Sequence, residues 1–112
     1  MTLVRNLPVK KIFKTEAQLQ EYAVKTLKGT GCLVYKFSSQ AKRGVPDLAV
    51  INTNGRVLFI ELKHPNGQGR LSKLQELEIE KMRKNNVDVF VLNKASEIDK
   101  LALSLKFEAL VC

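Results

Sequence analysis

The chain has 112 residues, 45% of them apolar, and carries 19 Lys and Arg against 11 Asp and Glu for a net charge of +8. This length fits one domain with a real core, and the apolar content excludes a chain too polar to fold. No apolar run approaches the ~20 residues needed to span a bilayer, the basic N-terminus lacks the apolar stretch of a signal peptide, and Cys32 and Cys112 make no disulfide framework.

There is no CxxC pair and His64 is the single histidine, so a zinc site of the Cys/His type is not expected. The expected setting is intracellular and cytoplasmic, without membrane association. The basic balance points to a polyanionic partner, with nucleic acid first.

Residues 1–14 read as an irregular basic N-terminal arm carrying Pro8, and residues 15–112 as the folded domain. Thr15 is placed to cap a helix, with Gln18 three residues on as a capping-box partner. Leu19, Tyr22, Ala23, Thr26 and Leu27 recur at helical spacing, predicting a helix over about 16–28 that Gly29 and Gly31 end. Leu33 to Ser38 alternates and is rich in strand formers. Gln40 to Pro46 is a basic loop holding Lys42, Arg43 and Gly44. Leu48–Ile51 and Val57–Leu62 are apolar runs joined by Asn52-Thr53-Asn54-Gly55, a hairpin signal. Both faces of these strands are apolar, so both are expected to be covered. His64 to Arg70 is a Gly-rich loop. Ser72 caps a second helix to about Asn85, with Leu74, Leu77 and Met82 expected on its inner side. Val87–Leu92 reads as a buried strand. Ser96 is placed to cap a last helix carrying Ile98, Leu101, Ala102 and Leu105. The fold class is α/β, a small mixed sheet flanked by helices in the order α-β-β-β-α-β-α.

The hairpin carries a geometric test. With a three-residue loop, Thr53-Asn54-Gly55, and Gly55 in the left-handed conformation, Asn52 pairs with Arg56 and Asp47 falls opposite Glu61. Lys63 then shares a face with Glu61, because side chains alternate along a strand. A two-residue loop would turn Glu61 to the other face. Two carboxylates so close repel unless one is protonated or a cation lies between them. Hard oxygen ligands without a nearby thiol select Mg²⁺ or Mn²⁺. Such an ion can polarise a phosphodiester, and Lys63 can position water or meet charge growing on the phosphate. The chemistry implied is phosphodiester hydrolysis. The plainer alternative is a turn-forming Asp and a Glu–Lys pair at a strand end.

Pro46-Asp47 followed by Glu61-Leu62-Lys63 resembles the PD-(D/E)xK nuclease signature. Adding Glu16, Gly44-Val45-Pro46-Asp47, Gly55-Arg56, the Phe59–Lys63 run, Leu71-Ser72 and Gln75, the chain is similar to the stand-alone VRR-NUC nucleases over about residues 15–100. The resemblance implies a restriction-endonuclease-like core. It implies that Asp47 and Glu61 bind the metal with the Leu62 carbonyl, that Lys63 is the catalytic lysine, and that Glu16 reaches the metal directly or through water. Gln75 would support the site or touch substrate, although its place three residues after Ser72 is explained by capping alone. The resemblance also implies a homodimer, and DNA as substrate, four-way (Holliday) junctions included. Asn85-Asn86 stands where the family pattern would put a glycine, and Asn tolerates the same left-handed cap.

Lys36, Lys42 and Arg43 are the candidate DNA contacts, with a solvated role as the alternative for each. His64 is expected to be a solvated strand-end residue. The expected function is a Mg²⁺/Mn²⁺-dependent DNA endonuclease acting on branched DNA. The alternatives are a nuclease of the same fold with another DNA substrate, or a non-catalytic nucleic-acid-binding module.

Overall fold

A computed structural model describes residues 12–37 and 42–111, Val111 by its backbone only. Most of the expected basic arm, Ser38 and Cys112 lie outside these residues. The element order is α1 (Glu16–Lys28), β1 (Leu33–Lys36), β2 (Leu48–Ile51), β3 (Val57–Leu62), α2 (Lys73–Lys84), β4 (Asp88–Leu92) and α3 (Ala95–Val111). The four strands lie in the order β1-β2-β3-β4. The first two pairings are antiparallel, and β3 and β4 run parallel. The parallel pair requires a crossover, which α2 supplies.

α1 forms because Leu19, Ala23 and Leu27 fall on one stripe, and all three are fully buried. Thr15 Oγ1 accepts from Gln18 N–H at 3.1 Å. The return bond of the expected capping box is displaced: Gln18 Oε1 accepts from Lys14 N–H at 2.9 Å. The α1 stripe meets Ile98, Ala102 and Leu105 of α3 and one face of the sheet, formed by Leu48, Val50, Leu58, Ile60, Leu62 and Leu92. Each such buried aliphatic side chain contributes about 1.5–3 kcal/mol.

The other sheet face is covered less than its composition suggests. α2 packs along β4, and Leu33, Tyr35 and Val57 stay exposed. The inner residues of α2 also differ from expectation. Leu74 and Leu77 are 52% and 43% exposed while Ile79 is 3% exposed, and Gln75, Glu78 and Met82 are half-buried. These four share one stripe by spacing, and two of them are polar.

At α3 the cap is not Ser96. Glu97 Oε1 accepts from the N–H groups of Asn93 and Lys94 at 2.9 and 3.1 Å, so Ser96 lies one residue inside the helix. No helix among the described residues is long and apolar enough to cross a membrane. Cys32 is a buried free thiol.

Candidate active site

The hairpin adopts the three-residue register. Ile51 pairs with Val57 and Leu48 with Ile60. Asn52 N–H donates to Arg56 O at 2.9 Å, and Gly55 N–H to Asn52 O at 3.0 Å. Gly55 has φ +81°, the left-handed conformation that the loop needs. Asn52 itself is buried, and its Oδ1 accepts from the N–H groups of Asn54 and Arg56, each at 2.9 Å.

One step past the Leu48–Ile60 pair, Asp47 stands opposite Glu61. The ladder stops there: Leu62 N–H, which would continue it, donates to Asp47 Oδ2 at 2.8 Å. Asp47 therefore ends the strand pairing with its own side chain. Lys63 N–H donates to Leu92 O at 2.9 Å, so β4 fixes the backbone of the lysine.

Glu61 is only 2% exposed. Its Oε2 accepts from Gln75 Nε2 at 2.8 Å and lies 3.2 Å from Lys63 Nζ. Its Oε1 is buried with no hydrogen-bond partner. Gln75 Oε1 accepts from Lys63 Nζ at 3.0 Å and from Ser72 N–H at 2.8 Å. Gln75 N–H donates to Ser72 Oγ at 3.1 Å. The capping box is complete, and the same amide holds both the glutamate and the lysine. The helix cap and the contacts to Glu61 and Lys63 are therefore one arrangement.

Burial, then the neighbouring Asp47 charge, raises the Glu61 carboxyl from 4.5 to about 7 against the opposing pull of Lys63. Burial also raises Asp47, opposed by the Leu62 N–H and by Lys63. Glu16, exposed in the first turn of α1, adds negative charge that raises both. Two carboxylates held uncomfortably close with a bare oxygen between protein walls are what a hard divalent cation relieves. The donor set fits one with Asp47, Glu61 and a backbone carbonyl. Among the described residues, however, no three His, Cys, Asp or Glu side chains converge tightly enough to hold a metal by themselves. Glu16 thus stands near the pair without completing a side-chain triad.

The expected DNA contacts separate. Lys36 pairs with Leu48, which gives it the parity opposite to Asp47, Glu61 and Lys63, and it is exposed. Lys42 Nζ lies 3.3 Å from Glu78 Oε1 of α2, so it ties its loop to that helix. Arg43 is exposed. His64 is half-buried rather than simply solvated, and its Nδ1 accepts from Asn66 N–H at 3.1 Å.

Sequence reasoning missed the closeness of the Asp47 loop to α2. Gly44 has φ +88°, and a Cβ there would lie 2.6 Å from Leu74 O. Its signal was a glycine three residues before the aspartate. Also missed was the brace at the far hairpin end, where Arg56 pairs with Asp88 and Glu108 and Asn52 Nδ2 donates to Glu108 Oε2 at 2.8 Å.

A small mixed sheet presenting Asp, Glu and Lys at one strand end defines a nuclease-type α/β core. The profile of the VRR-NUC domain matches residues 5–95, and the chain belongs to the VRR-NUC family. "Putative nuclease p44" of Acyrthosiphon pisum secondary endosymbiont phage 1 is 34% identical over 61 residues, covering 54% of this chain and 66% of that protein. The match thus spans just under two-thirds of that relative. A solved structure described as a VRR_NUC domain has a TM-score of 0.71 at 34% identity, over 77% of this chain and 91% of the other.

Proposed function

We propose that this chain is a Mg²⁺- or Mn²⁺-dependent DNA endonuclease that acts as a homodimer on branched DNA such as four-way junctions. The observation that carries the reading is the buried Glu61 carboxylate, whose Oε1 has no partner and which faces Asp47 across the hairpin end. A module that only bound DNA would gain nothing from setting the buried Glu61 carboxylate beside the half-buried Asp47 where a polyanion must approach.

Asp47, Glu61 and the Leu62 carbonyl would hold the cation, with Glu16 reaching it through water. Such an ion supplies Lewis acidity that draws charge from a phosphodiester and eases attack by water at neutral pH. Lys63 Nζ is held between Glu61 Oε2 and Gln75 Oε1, placed to orient the attacking water or to meet charge on the phosphate. Gln75 keeps Glu61 in one rotamer by donating to Oε2. The β4 backbone fixes Lys63 through the Leu92 carbonyl, and pre-positioning of this kind lowers the barrier.

Two sites related by a two-fold axis suit a symmetric branched substrate. Leu103, Phe107 and Leu110 are exposed on α3 at spacings that share one stripe, apolar surface that supports association of two copies. The test is cleavage of labelled linear, flapped and four-way DNA with Mg²⁺, Mn²⁺ or EDTA, alongside Asp47→Ala and Lys63→Ala. Metal-dependent cutting of the junction by the parent only is expected. Cutting in EDTA, or full activity in either variant, overturns the mechanism. Equal cutting of linear and branched DNA removes the junction preference alone.

A further inference from the structure

Two glycines close the walls of the site, and exposed cations flank both contacts. A Cβ on Gly44 would lie 2.6 Å from Leu74 O and 3.1 Å from Gln75 N, so the loop before Asp47 rests on the first turn of α2. Arg43 precedes that glycine and Lys73 precedes Leu74. A Cβ on Gly69 would lie 2.9 Å from His64 N and 3.4 Å from the Lys63 Cβ, so the loop after β3 folds back onto the lysine. Arg70 follows that glycine. Arg43, Arg70 and Lys73 are all exposed. Arg43 and Lys73 flank the contact of the Gly44 loop with α2, and Arg70 flanks the contact of Gly69 with His64 and Lys63. Their positions around the site are therefore set by close-packed backbone.

Neighbouring charges sort the cations further. Lys42 is engaged with Glu78, Arg56 with Asp88 and Glu108 at the far end of the hairpin, and Lys84 with Glu80. We propose that Arg43, Arg70 and Lys73 form a phosphate-backbone track that seats a DNA strand across the site, with Arg70 and Lys73 replacing Lys36 and Lys42 as the principal contacts. The proposal rests on the reading of the substrate as DNA and not on cleavage. Guanidinium groups match phosphate oxygens in paired geometry, and each neutralised phosphate releases counterions.

The test is fluorescence anisotropy of a fluorescein-labelled four-way junction and a duplex, in EDTA, over about 50–200 mM NaCl. The full chain is compared with R43Q/R70Q/K73Q and with K81Q/K84Q/K100Q, which removes equal charge elsewhere. A track contact contributes about 0.9 to the slope of log affinity against log salt. The track variant should therefore lose about 2.7 from the slope, and the control much less. In Mg²⁺ the track variant should raise KM while kcat changes little. A parental slope in the track variant, or an equal loss in the control, overturns the proposal. Binding in EDTA with the expected slopes but no cleavage by the parent keeps the track and removes the nuclease reading. Cleavage with unaltered slopes does the reverse.

Discussion

Gln75 Nε2 donates to Glu61 Oε2 at 2.8 Å, and that bond joins the first turn of α2 to the end of β3. The amide orientation follows from its neighbours, since Oε1 faces two donors, Lys63 Nζ and Ser72 N–H. Gln75→Ala removes both halves. It should cost about 1 kcal/mol through the lost cap and lower cleavage by roughly 10- to 100-fold. Gln75→Glu separates the two roles. A glutamate at this position still accepts from Ser72 N–H, but it turns a third carboxylate toward Glu61. Melting temperature should therefore fall less than in the alanine variant, while cleavage falls by a similar factor. Steady-state cleavage and thermal melts of both variants check this. Parental cleavage by Gln75→Glu would reduce Gln75 to a helix cap.

The acid pair sets how stability varies with pH when no divalent ion is bound. The Glu61 carboxyl is raised in the folded chain from 4.5 to about 7, so between these values the native state binds more protons than the unfolded state. Stability must then fall as pH rises through that window, and Asp47, also raised, adds in the same direction. Urea midpoints measured in EDTA should be lower at neutral pH than near pH 5. Mg²⁺ should restore the neutral value by binding the native state. Glu61→Gln should flatten the profile. An unchanged slope in that variant would show that other groups set it.

Much of this arrangement is legible in the sequence. The loop Thr53-Asn54-Gly55 fixed the register, because Gly55 alone in it takes a left-handed φ without strain, and the register placed Asp47 opposite Glu61 and Lys63 beside it. The bounds of α1, β2 and β3 followed from periodicity and caps. The face of α2 did not, for a physical reason. Apolar spacing finds a helix's inner side when that side is apolar, but Gln75 and Glu78 turn inward to serve Glu61 and Lys42, leaving Leu74 and Leu77 outside. Lys42 is read from its place before Asp47, and Lys36 from its strand position and the family resemblance; a cation's partner across the fold leaves no local trace in the sequence. The orphaned Glu61 oxygen was equally invisible, since it depends on what α2 and β4 bury.

Gly44 and Gly55 provide a matched comparison. Both have positive φ, +88° and +81°, so an alanine at either position pays the left-handed penalty of about 1–2 kcal/mol. At Gly55 an added Cβ meets nothing within 4 Å, whereas at Gly44 it meets the Leu74 carbonyl at 2.6 Å. That neighbour is helix backbone and cannot swing aside. Gly44→Ala should therefore destabilise more than Gly55→Ala and should also separate Asp47 from Gln75. Denaturation midpoints and cleavage rates of both variants test the ranking. Equal losses in stability would mean that the loop does not rest on α2 as described.

Asp47 joins the two costs of the site in one residue. Its Oδ2 accepts from Leu62 N–H at 2.8 Å, a bond that closes the strand end, while its charge pushes the Glu61 carboxyl up. Asp47→Asn keeps an oxygen for that bond and deletes the charge. Metal-free, at neutral pH, the variant should be at least as stable as the parent, because the repulsion with Glu61 is gone. Asp47→Ala leaves the Leu62 N–H without its partner, which costs about 1–3 kcal/mol, and should gain less or lose stability. Cleavage should fall by at least about 100-fold in both, since neither offers a second carboxylate to a cation. Such an asparagine variant would show a site that trades stability for chemistry. Thermal melts in EDTA, set beside cleavage in Mg²⁺, decide the matter. An asparagine variant less stable than the alanine one would mean that the Leu62 bond does not hold the strand end, and parental cleavage in either would remove Asp47 from the chemistry.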